Sequence, residues 1–196
     1  MQKLLVATGN AHKTEEIRAM LGDGYDVTDL KSHPQLPAVE ETGMTFLENA
    51  TLKAVEISRE VAGLVLSDDS GLEVDALGGA PGVYSSRYAG EDGNDDLNNK
   101  KLLFELDGVG EGERTARFRC VMVLAENGEV LACFDGAVEG RIISERQGDG
   151  GFGYDPLFVP EGHQQSFAEL GEEIKNTLSH RARAMEKVCD WLANQG

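Results

Sequence analysis

The sequence contains little cysteine and no cysteine pattern of the kind that builds a stapled or metal-bound scaffold. Its 3 cysteines, Cys120, Cys133 and Cys189, are odd in number and form no C-x-x-C pair. This excludes a regular disulfide framework and a cysteine zinc site, so we expect free structural thiols in a reducing compartment. The four histidines show no metal-ligand spacing either.

Long apolar runs are also missing. No run approaches the length that spans a bilayer, so no membrane association is expected. The chain starts directly with the strand-like segment 3–7 and has none of the features of a signal peptide. We therefore predict a cytoplasmic protein.

Positive charge is scarce. The chain has 18 Lys and Arg against 35 Asp and Glu, which gives a net charge of −17. Binding to polymeric nucleic acid depends on a basic surface that contacts phosphates, so this function class is disfavoured. A small polyphosphate is still a possible ligand if a few lysines and a metal ion converge locally.

What is present is an ordinary globular composition. Hydrophobic residues make up 40% of the 196 residues, enough for a sizeable core, and no internal repeat or linker interrupts the chain. We therefore predict a single domain over residues 1–196.

Apolar periodicity and turn residues predict a mixed α/β fold: βα units first, then a long hairpin around Asn127-Gly128, then a closing helix. Strands are predicted at about 3–7, 25–30, 64–69, 72–76, 114–125 and 129–143, and helices at about 13–21, 45–62, 94–106 and 179–194. The glycine at position 71 is expected to separate the third and fourth of these strands.

The segment Ser67–Leu72 carries two adjacent carboxylates, Asp68 and Asp69, directly after a buried apolar strand. Carboxylates in such a place need a positive partner, and a divalent metal such as Mg²⁺ takes this kind of oxygen ligand. A solvated Asp-Asp turn is the alternative for the pair taken alone.

Two other segments could bind phosphate. The turn Thr8-Gly9-Asn10-Ala11-His12-Lys13 joins a strand to a helix, and the amides at a helix N-terminus favour anions. Lys53 follows Asn49 by one helical turn, so the two side chains share a face. An ordinary turn and a solvated lysine are the alternatives.

Two segments could recognise a base. Phe152-Gly153-Tyr154-Asp155 combines aromatic rings, glycine and a carboxylate, although a core aromatic at a tight turn would give the same pattern. If Ser179 caps the last helix, His180 and Arg181 lie in its first turn, where the helix dipole disfavours cations. Donors in that position, with Lys175 upstream, suggest acceptors such as a base carbonyl.

Together and in this order, the motifs are specific, and the whole chain resembles the inosine triphosphate pyrophosphatase family in its bacterial dITP/XTP branch. The motifs are Thr-Gly-Asn-x-x-Lys at 8–13, Glu-Glu-Thr-Gly at 40–43, Glu-Asn-Ala-x-x-Lys-Ala at 48–54, Ser-Asp-Asp-Ser-Gly-Leu at 67–72, Leu-Gly-Gly-Ala-Pro-Gly-Val-Tyr-Ser-Ser-Arg-Tyr at 77–88, Gly-Phe-Gly-Tyr-Asp-Pro at 151–156 and Ser-His-Arg at 179–181.

The resemblance implies a long curved mixed sheet with flanking helices, in two lobes around a central cleft. It also implies a Mg²⁺-dependent homodimer that hydrolyses deaminated purine nucleoside triphosphates to the monophosphate and pyrophosphate. In this implied site, Glu40 and Asp69 bind metal, with Asp68 as the alternative ligand, and Asp69 accepts the proton. The implied substrate contacts are Thr8, Gly9, Asn10, Ala11, His12, Lys13, Lys53, Ser70, Phe152, Gly153, Tyr154, Asp155, Lys175, His180 and Arg181.

Two alternatives stay open at this point. One is a different enzyme, either a pyrophosphatase of other modified nucleotides or a plain metal phosphatase. The other is a nucleotide-binding module without catalytic activity, which would leave the Asp68-Asp69 pair without an obvious purpose.

Overall fold

The computed structural model describes residues 2–195 of the chain. Its strands are β1 (Gln2–Val6), β2 (Tyr25–Asp29), β3 (Leu64–Val74), β4 (Thr115–Glu126), β5 (Glu129–Ile142) and β6 (Phe158–Pro160). Its α-helices are α1 (Ala11–Leu21), α2 (Phe46–Glu60), α3 (Asp95–Glu105), α4 (Phe167–Leu178) and α5 (His180–Ala193). Short 3₁₀ helices lie at Gly22–Gly24, Leu30–Ser32, Asp75–Leu77, Gly82–Arg87 and Glu111–Glu113.

The strands form one mixed sheet in the order β2-β1-β3-β4-β5-β6. Strand β1 pairs in parallel with β2 and β3, whereas β5 and β6 pair antiparallel. The parallel part follows from the βα units at the start of the chain, because a helix connects each pair of parallel strands. The predicted mixed sheet with flanking helices is therefore confirmed, while its curvature and the cleft between two lobes stay predictions.

The chain divides into two compact units, so the single domain over 1–196 also stays a prediction. The first unit comprises residues 2–69, 120–136 and 181–195, and the second comprises 70–119 and 137–180. Buried side chains from strands and from α5 form the core of the first unit, including Leu4, Leu66, Met122, Met185 and Val188. Strand and loop residues together with α3 and α4 form the core of the second, including Leu72, Leu102, Phe118, Phe158 and Phe167.

Most of the predicted elements are confirmed within a few residues, and local capping explains their ends. Helix α2 begins after Thr45, whose hydroxyl accepts the amide of Glu48 while the Glu48 carboxylate accepts the amide of Thr45. The hairpin turn is at Asn127-Gly128, and both residues have positive φ, 54° and 82°, as a two-residue turn between twisted strands requires.

One predicted boundary is wrong. Residues 64–69 and 72–76 were expected to be separate strands, but β3 is continuous from Leu64 to Val74. The strand continues because Leu72 and Val74 are fully buried in the core of the second unit. The amide of Leu72 is also satisfied by the Ser85 hydroxyl at 2.9 Å. Packing thus overrides the turn preference of Ser70-Gly71.

Helix α4 was not predicted, although a capping box marks its start. The Ser166 hydroxyl accepts the amide of Glu169, and the Glu169 carboxylate accepts the amide of Ser166. Gly171, with φ of 81°, interrupts the helical conformation and hides the periodicity. Among residues 2–195, no helix combines the length and apolar character that a bilayer crossing needs.

Candidate functional site

The parallel pairing of β1 with β3 brings two of the predicted motifs together. The two strands are in register from Leu4 opposite Leu64 to Val6 opposite Leu66; β1 ends there, whereas β3 continues to Val74. Asp68 follows on β3, and the turn Thr8–Lys13 follows β1. Because β1 ends opposite Leu66, the turn lies beside the next residues of β3, and Lys13 reaches Asp68 across 55 residues of sequence.

Asp68 is fully buried, and both of its carboxylate oxygens have partners. Oδ1 accepts the ammonium of Lys13, and Oδ2 accepts Arg181 Nε at 3.0 Å and the Cys120 thiol at 3.0 Å. Burial alone would raise the pKa of Asp68, but the charges of Arg181 and Lys13 hold that pKa well below its usual range. Asp68 is therefore an ionised carboxylate that binds two cations.

Asp69, the next residue, is in a different state. Its side chain is buried, its Oδ1 lies 3.7 Å from Lys53 Nζ, and its Oδ2 is buried without a hydrogen-bond partner among residues 2–195. Burial raises the pKa of Asp69 to about 6, against the opposing charges of Lys53 and Lys13 and in the same direction as Glu41 and Asp68. Asp69 is thus a carboxyl group whose proton affinity suits exchange near neutral pH.

Lys53 links helix α2 to this pair of carboxylates. Its ammonium donates to the Asp68 carbonyl oxygen at 2.8 Å and to Glu41 Oε1 at 2.7 Å. Burial lowers the pKa of Lys53, but Asp69 and Glu41 outweigh it and raise the pKa, so the side chain is cationic. The Ser67 hydroxyl, which donates to the Ala50 carbonyl at 2.6 Å, holds α2 against β3 at this level.

The Glu40–Gly43 loop is held in place by α2. The amide of Gly43 donates to Asn49 Oδ1 at 2.7 Å, and Asn49 is fully buried. A Cβ at position 43 would lie 2.6 Å from Glu48 Cβ and 2.7 Å from Asn49 Oδ1, so only glycine fits this approach. In this loop it is Glu41 that pairs with Lys53, whereas Glu40 is exposed.

The turn at 8–13 is organised by Asn10. Its side-chain oxygen accepts the amides of His12 at 3.0 Å and of Lys13 at 3.4 Å, and the Thr8 hydroxyl accepts the amide of Asn10 at 3.1 Å. Asn10 therefore occupies two of the amides that an anion could have contacted at this helix N-terminus. Gly9 and His12 are exposed and Ala11 is half-buried.

We call these residues of the first unit the acid–lysine cluster: Lys13, Lys53, Glu41, Asp68, Asp69 and Arg181. Arg181 is 1% exposed, and its guanidinium also donates to Glu16. The pKa of Arg181 is raised, since the charges of Asp68 and Glu16 outweigh the effect of burial. In this structure Arg181 therefore binds carboxylates of its own unit.

The second unit contains the other predicted motif, which we call the Phe152 loop (residues 151–155). The Phe152 ring is half-buried and lies 4.3 Å, centroid to Nζ, from the ammonium of Lys175. Asp155 Oδ2 accepts that ammonium at 2.7 Å and the amide of Phe152 at 2.9 Å. Phe152, Asp155 and Lys175 thus form one charged and aromatic group.

The remaining predicted residues of the second unit have more structural surroundings. Tyr154 belongs to the apolar core, and its hydroxyl donates to the Ser85 carbonyl at 2.7 Å. His180 is buried and stacks on Phe118 with ring centroids 4.9 Å apart. Ser70 is half-buried within β3.

A metal-binding geometry was also sought. No group of three or more His, Cys, Asp or Glu side chains among the described residues is arranged to hold a metal ion. A two-carboxylate site completed by substrate phosphates, as Mg²⁺ often uses, would not form such a group.

Comparison with known proteins decides the family. The sequence model of the Ham1 family matches residues 4–191. The chain belongs to the Ham1 family. A family relative from Bacillus licheniformis, named dITP/XTP pyrophosphatase, is 50% identical over 189 residues, which cover 96% of each chain. The resemblance inferred from the motifs is thereby confirmed.

Solved structures of Ham1 proteins also match the fold. The Ham1 protein of Staphylococcus aureus superposes with a TM-score of 0.88 at 37% identity and covers 100% of both chains. A HAM1 protein from Coxiella burnetii gives a TM-score of 0.89 at 38% identity and covers 99% of this chain and 100% of its own. The mixed α/β fold described above is therefore a Ham1 fold.

Sequence reasoning did not predict three members of these sites. Glu41 stands in the Glu-Glu-Thr-Gly motif, but only Glu40 of that motif is given a role there, and neither Glu16 nor Cys120 belongs to any of the motifs. No local signal identifies Glu16 or Cys120, because their contacts with Arg181 and Asp68 join residues 165 and 52 positions apart. Glu41 could have been weighed equally with its neighbour, since it follows Glu40 in the same motif.

Proposed function

We propose that this Ham1 protein hydrolyses non-standard purine nucleoside triphosphates, dITP, ITP and XTP, to the nucleoside monophosphate and pyrophosphate. The observation that carries the proposal is the contrast between two adjacent buried carboxylates. Asp68 is paired and ionised, whereas Asp69 holds a raised pKa and a buried oxygen that is unpartnered within residues 2–195. Such a pair fits a reaction that needs fixed charge and a proton acceptor side by side.

The triphosphate end of the substrate is assigned to the first unit. Lys13 and Lys53 supply positive charge, and the turn Thr8–Lys13 is proposed to contact the triphosphate beside them, although the amides of Asn10, His12 and Lys13 are already bonded within the turn. Phosphoryl transfer depends mainly on positioning and on neutralising charge, with little covalent chemistry for the protein to perform. The acid–lysine cluster positions the charged groups, but its three cations are matched by three carboxylates, so neutralising a triphosphate also calls for a bound metal ion.

The chemical step follows from the position of Asp69. We propose that this carboxylate accepts a proton from a water molecule whose oxygen attacks the α-phosphorus. The bond from the α-phosphorus to the bridging oxygen then breaks, and pyrophosphate leaves with the electron pair of that bond. A base with a pKa of about 6 is ionised at neutral pH and is still able to hold the proton transiently.

The Mg²⁺ ion that the family resemblance implies fits the residues present. Asp69 Oδ2 is buried and unpaired within the described chain, and the raised pKa of this carboxyl shows that burial disfavours its bare negative charge. A metal ion would stabilise that charge in place of a proton. We propose Asp69 and Glu40 as the metal ligands. Glu41, the neighbour of Glu40, instead pairs with Lys53. Asp68 is a less favourable ligand because both of its carboxylate oxygens already bind cations. When bound, the metal would supply charge neutralisation to the phosphate oxygens.

The base end is assigned to the second unit. The half-buried Phe152 ring offers a stacking surface, and Asp155 and Lys175 add an acceptor and a donor beside it. A site built to pair with a keto base leaves polar groups unpaired against an amino base, which discriminates strongly. Further proposed nucleotide contacts are Gly153, Tyr154, Ser70, His180 and Arg181. Because Arg181 bonds Asp68, we also propose that it holds Asp68 in place.

The first test is a product assay. The protein is incubated with dITP, XTP, dGTP and dATP in Mg²⁺, and products are separated by anion-exchange chromatography. We expect dIMP or XMP together with pyrophosphate, and a rate on dATP lower by a factor of roughly 5–150, because a buried polar group left without its partner costs about 1–3 kcal/mol.

Two arms serve as controls. Chelation by EDTA should stop the reaction and added Mg²⁺ should restore it. Equal rates on all bases would favour a pyrophosphatase of other modified nucleotides, a diphosphate product would favour a metal phosphatase, and binding without turnover would favour a module without catalytic activity.

We also propose that the chain is a homodimer that acts on free nucleotides in the cytoplasm and binds neither polymeric nucleic acid nor membranes. The homodimer is carried over from the family resemblance. Sedimentation velocity should give twice the mass of one 21.1 kDa chain, and a single-chain mass would contradict the dimer.

A further inference from the structure

Helix α3 holds the Phe152 loop by its backbone. Asp95 Oδ2 accepts the amide of Gly153 at 2.7 Å, and Asn99 Nδ2 donates to the Gly153 carbonyl at 2.7 Å. One residue of the loop is thus bound on its N–H side and on its C=O side by two side chains one helical turn apart. We call Asp95 and Asn99 the α3 clamp.

The clamp binds Gly153, the residue next to Phe152, and so restrains the backbone that carries the Phe152 ring. Gly153 follows Phe152 directly and has a φ of 62°, in the left-handed region. On the other side of the loop, the amide of Phe152 is bound by Asp155, and the Tyr154 hydroxyl is bound by the Ser85 carbonyl. The amide of Asp155 also donates to the Phe152 carbonyl at 3.3 Å, and the clamp adds the two bonds that hold Gly153 itself.

The Asn99 side chain is energetically unfavourable at this position, because one of its polar atoms is buried without a partner in the described part of the chain. It is fully buried, and its Oδ1 has no hydrogen-bond partner among residues 2–195. A buried polar atom without a partner is unfavourable, so an apolar side chain would suit the helix better. What the amide adds is the pair of bonds to the Asp95 and Gly153 carbonyls, at 2.6 and 2.7 Å.

We propose that Asp95 and Asn99 are positioning residues for base recognition: they hold the Phe152 loop in the conformation that selects keto purines, without touching the substrate. The proposal rests on the proposed function, because it concerns the base end of that site. It adds two residues that lie 54 and 58 positions before the Gly153 that they bind.

Neighbouring residues provide a matched control. Asn98 is also buried, at 1% exposure, and also bonds backbone on both sides, accepting the Ala89 amide at 2.8 Å and donating to the Ser86 carbonyl at 2.9 Å. Asn98→Ala and Asn99→Ala therefore remove the same side chain, at the same depth, with two backbone bonds each. Only the second releases Gly153.

The experiment measures kcat and KM for dITP and dATP, and the Kd of IMP and of pyrophosphate separately. For Asn99→Ala we expect a KM for dITP and a Kd for IMP raised roughly tenfold, and a dITP-to-dATP preference reduced roughly tenfold, the effect of one lost buried hydrogen bond. Pyrophosphate binding should be unchanged. Asn98→Ala removes two satisfied bonds, so it should lower the melting temperature at least as much as Asn99→Ala does, and it should leave the preference intact.

A second pair covers the case in which Asn99→Ala does not fold. Asp95 is half-buried at the start of α3, and Asp96 beside it is exposed and paired with Lys100. Asp95→Ala should reduce the dITP-to-dATP preference, and Asp96→Ala, which also removes a carboxylate from the first turn, should not.

Three results are decisive. The positioning role would be overturned if the dITP-to-dATP preference changed equally in Asn98→Ala and Asn99→Ala and equally in Asp95→Ala and Asp96→Ala. It would also be overturned if the preference changed in none of the four variants. Wild-type protein that neither hydrolyses dITP nor binds IMP would instead overturn the proposed function. Weaker IMP binding by Asn99→Ala and Asp95→Ala alone supports the clamp.

Discussion

Asp69→Asn is expected to reduce kcat for dITP by at least about three orders of magnitude, because the variant has no carboxylate to accept the proton of the attacking water. The amide has the same shape, so the Kd for a non-hydrolysable dITP analogue should change little. Steady-state kinetics and calorimetric titration with the analogue measure the two quantities.

The same substitution should not weaken the fold. The pKa of Asp69 is raised from 3.8 to about 6, so the ionised carboxylate disfavours the folded state as pH rises through that range. Without metal at pH 8, Asp69→Asn should therefore have an equal or higher melting temperature. Asp75→Asn, at an exposed aspartate of the second unit, is the control and should retain full activity. Activity near wild type in Asp69→Asn would remove Asp69 from the mechanism.

Asp68→Ala is expected to cost about 3–5 kcal/mol in the free energy of unfolding, since it leaves the buried charges of Lys13 and Arg181 without their shared carboxylate. For a chain of this size that corresponds to a melting temperature lower by roughly 10 °C or more. Urea titration followed by circular dichroism measures the free energy, and a thermal scan measures the melting temperature.

The matched control is another aspartate–arginine pair in an exposed place. Asp75 accepts Arg117 at 3.0 and 3.1 Å, comparable to the 3.0 Å bond between Asp68 and Arg181, but its side chain is 45% exposed. Asp75→Ala should cost less than about 1 kcal/mol, as surface pairs do. If Asp68→Ala and Asp75→Ala lowered the free energy of unfolding by similar amounts, the burial of the Asp68 ion pairs would not explain the effect.

The sequence predicts the fold where local signals agree with packing. Thr45 and Glu48 mark the start of α2, and Asn127-Gly128 marks the hairpin, because capping and turn chemistry act within a few residues. The strand end predicted at Gly71 is wrong, because the burial of Leu72 and Val74 against distant residues keeps the strand continuous through that glycine. Propensity cannot report such contacts.

The candidate site shows the same limit. Residue types and order identify the motif residues, and the Ham1 family membership follows from them. The pairings do not follow, because Asp68 meets Lys13 and Arg181 across 55 and 113 residues of sequence. Their geometry gives the carboxyl groups of Asp68 and Asp69 different pKa values, one lowered and one raised, which two adjacent aspartates in a sequence cannot reveal.

The order of the elements along the chain has a consequence for biosynthesis. The core of the first unit contains Leu4 and Val6 from the first strand and Met185 and Val188 from the last helix. At a synthesis rate of about 5–20 residues per second, β1 therefore waits roughly 10–40 s for α5 to leave the ribosome. During that interval the first unit lacks the cover that Met185 and Val188 provide, so we expect nascent chains of this protein to expose apolar surface that chaperones bind.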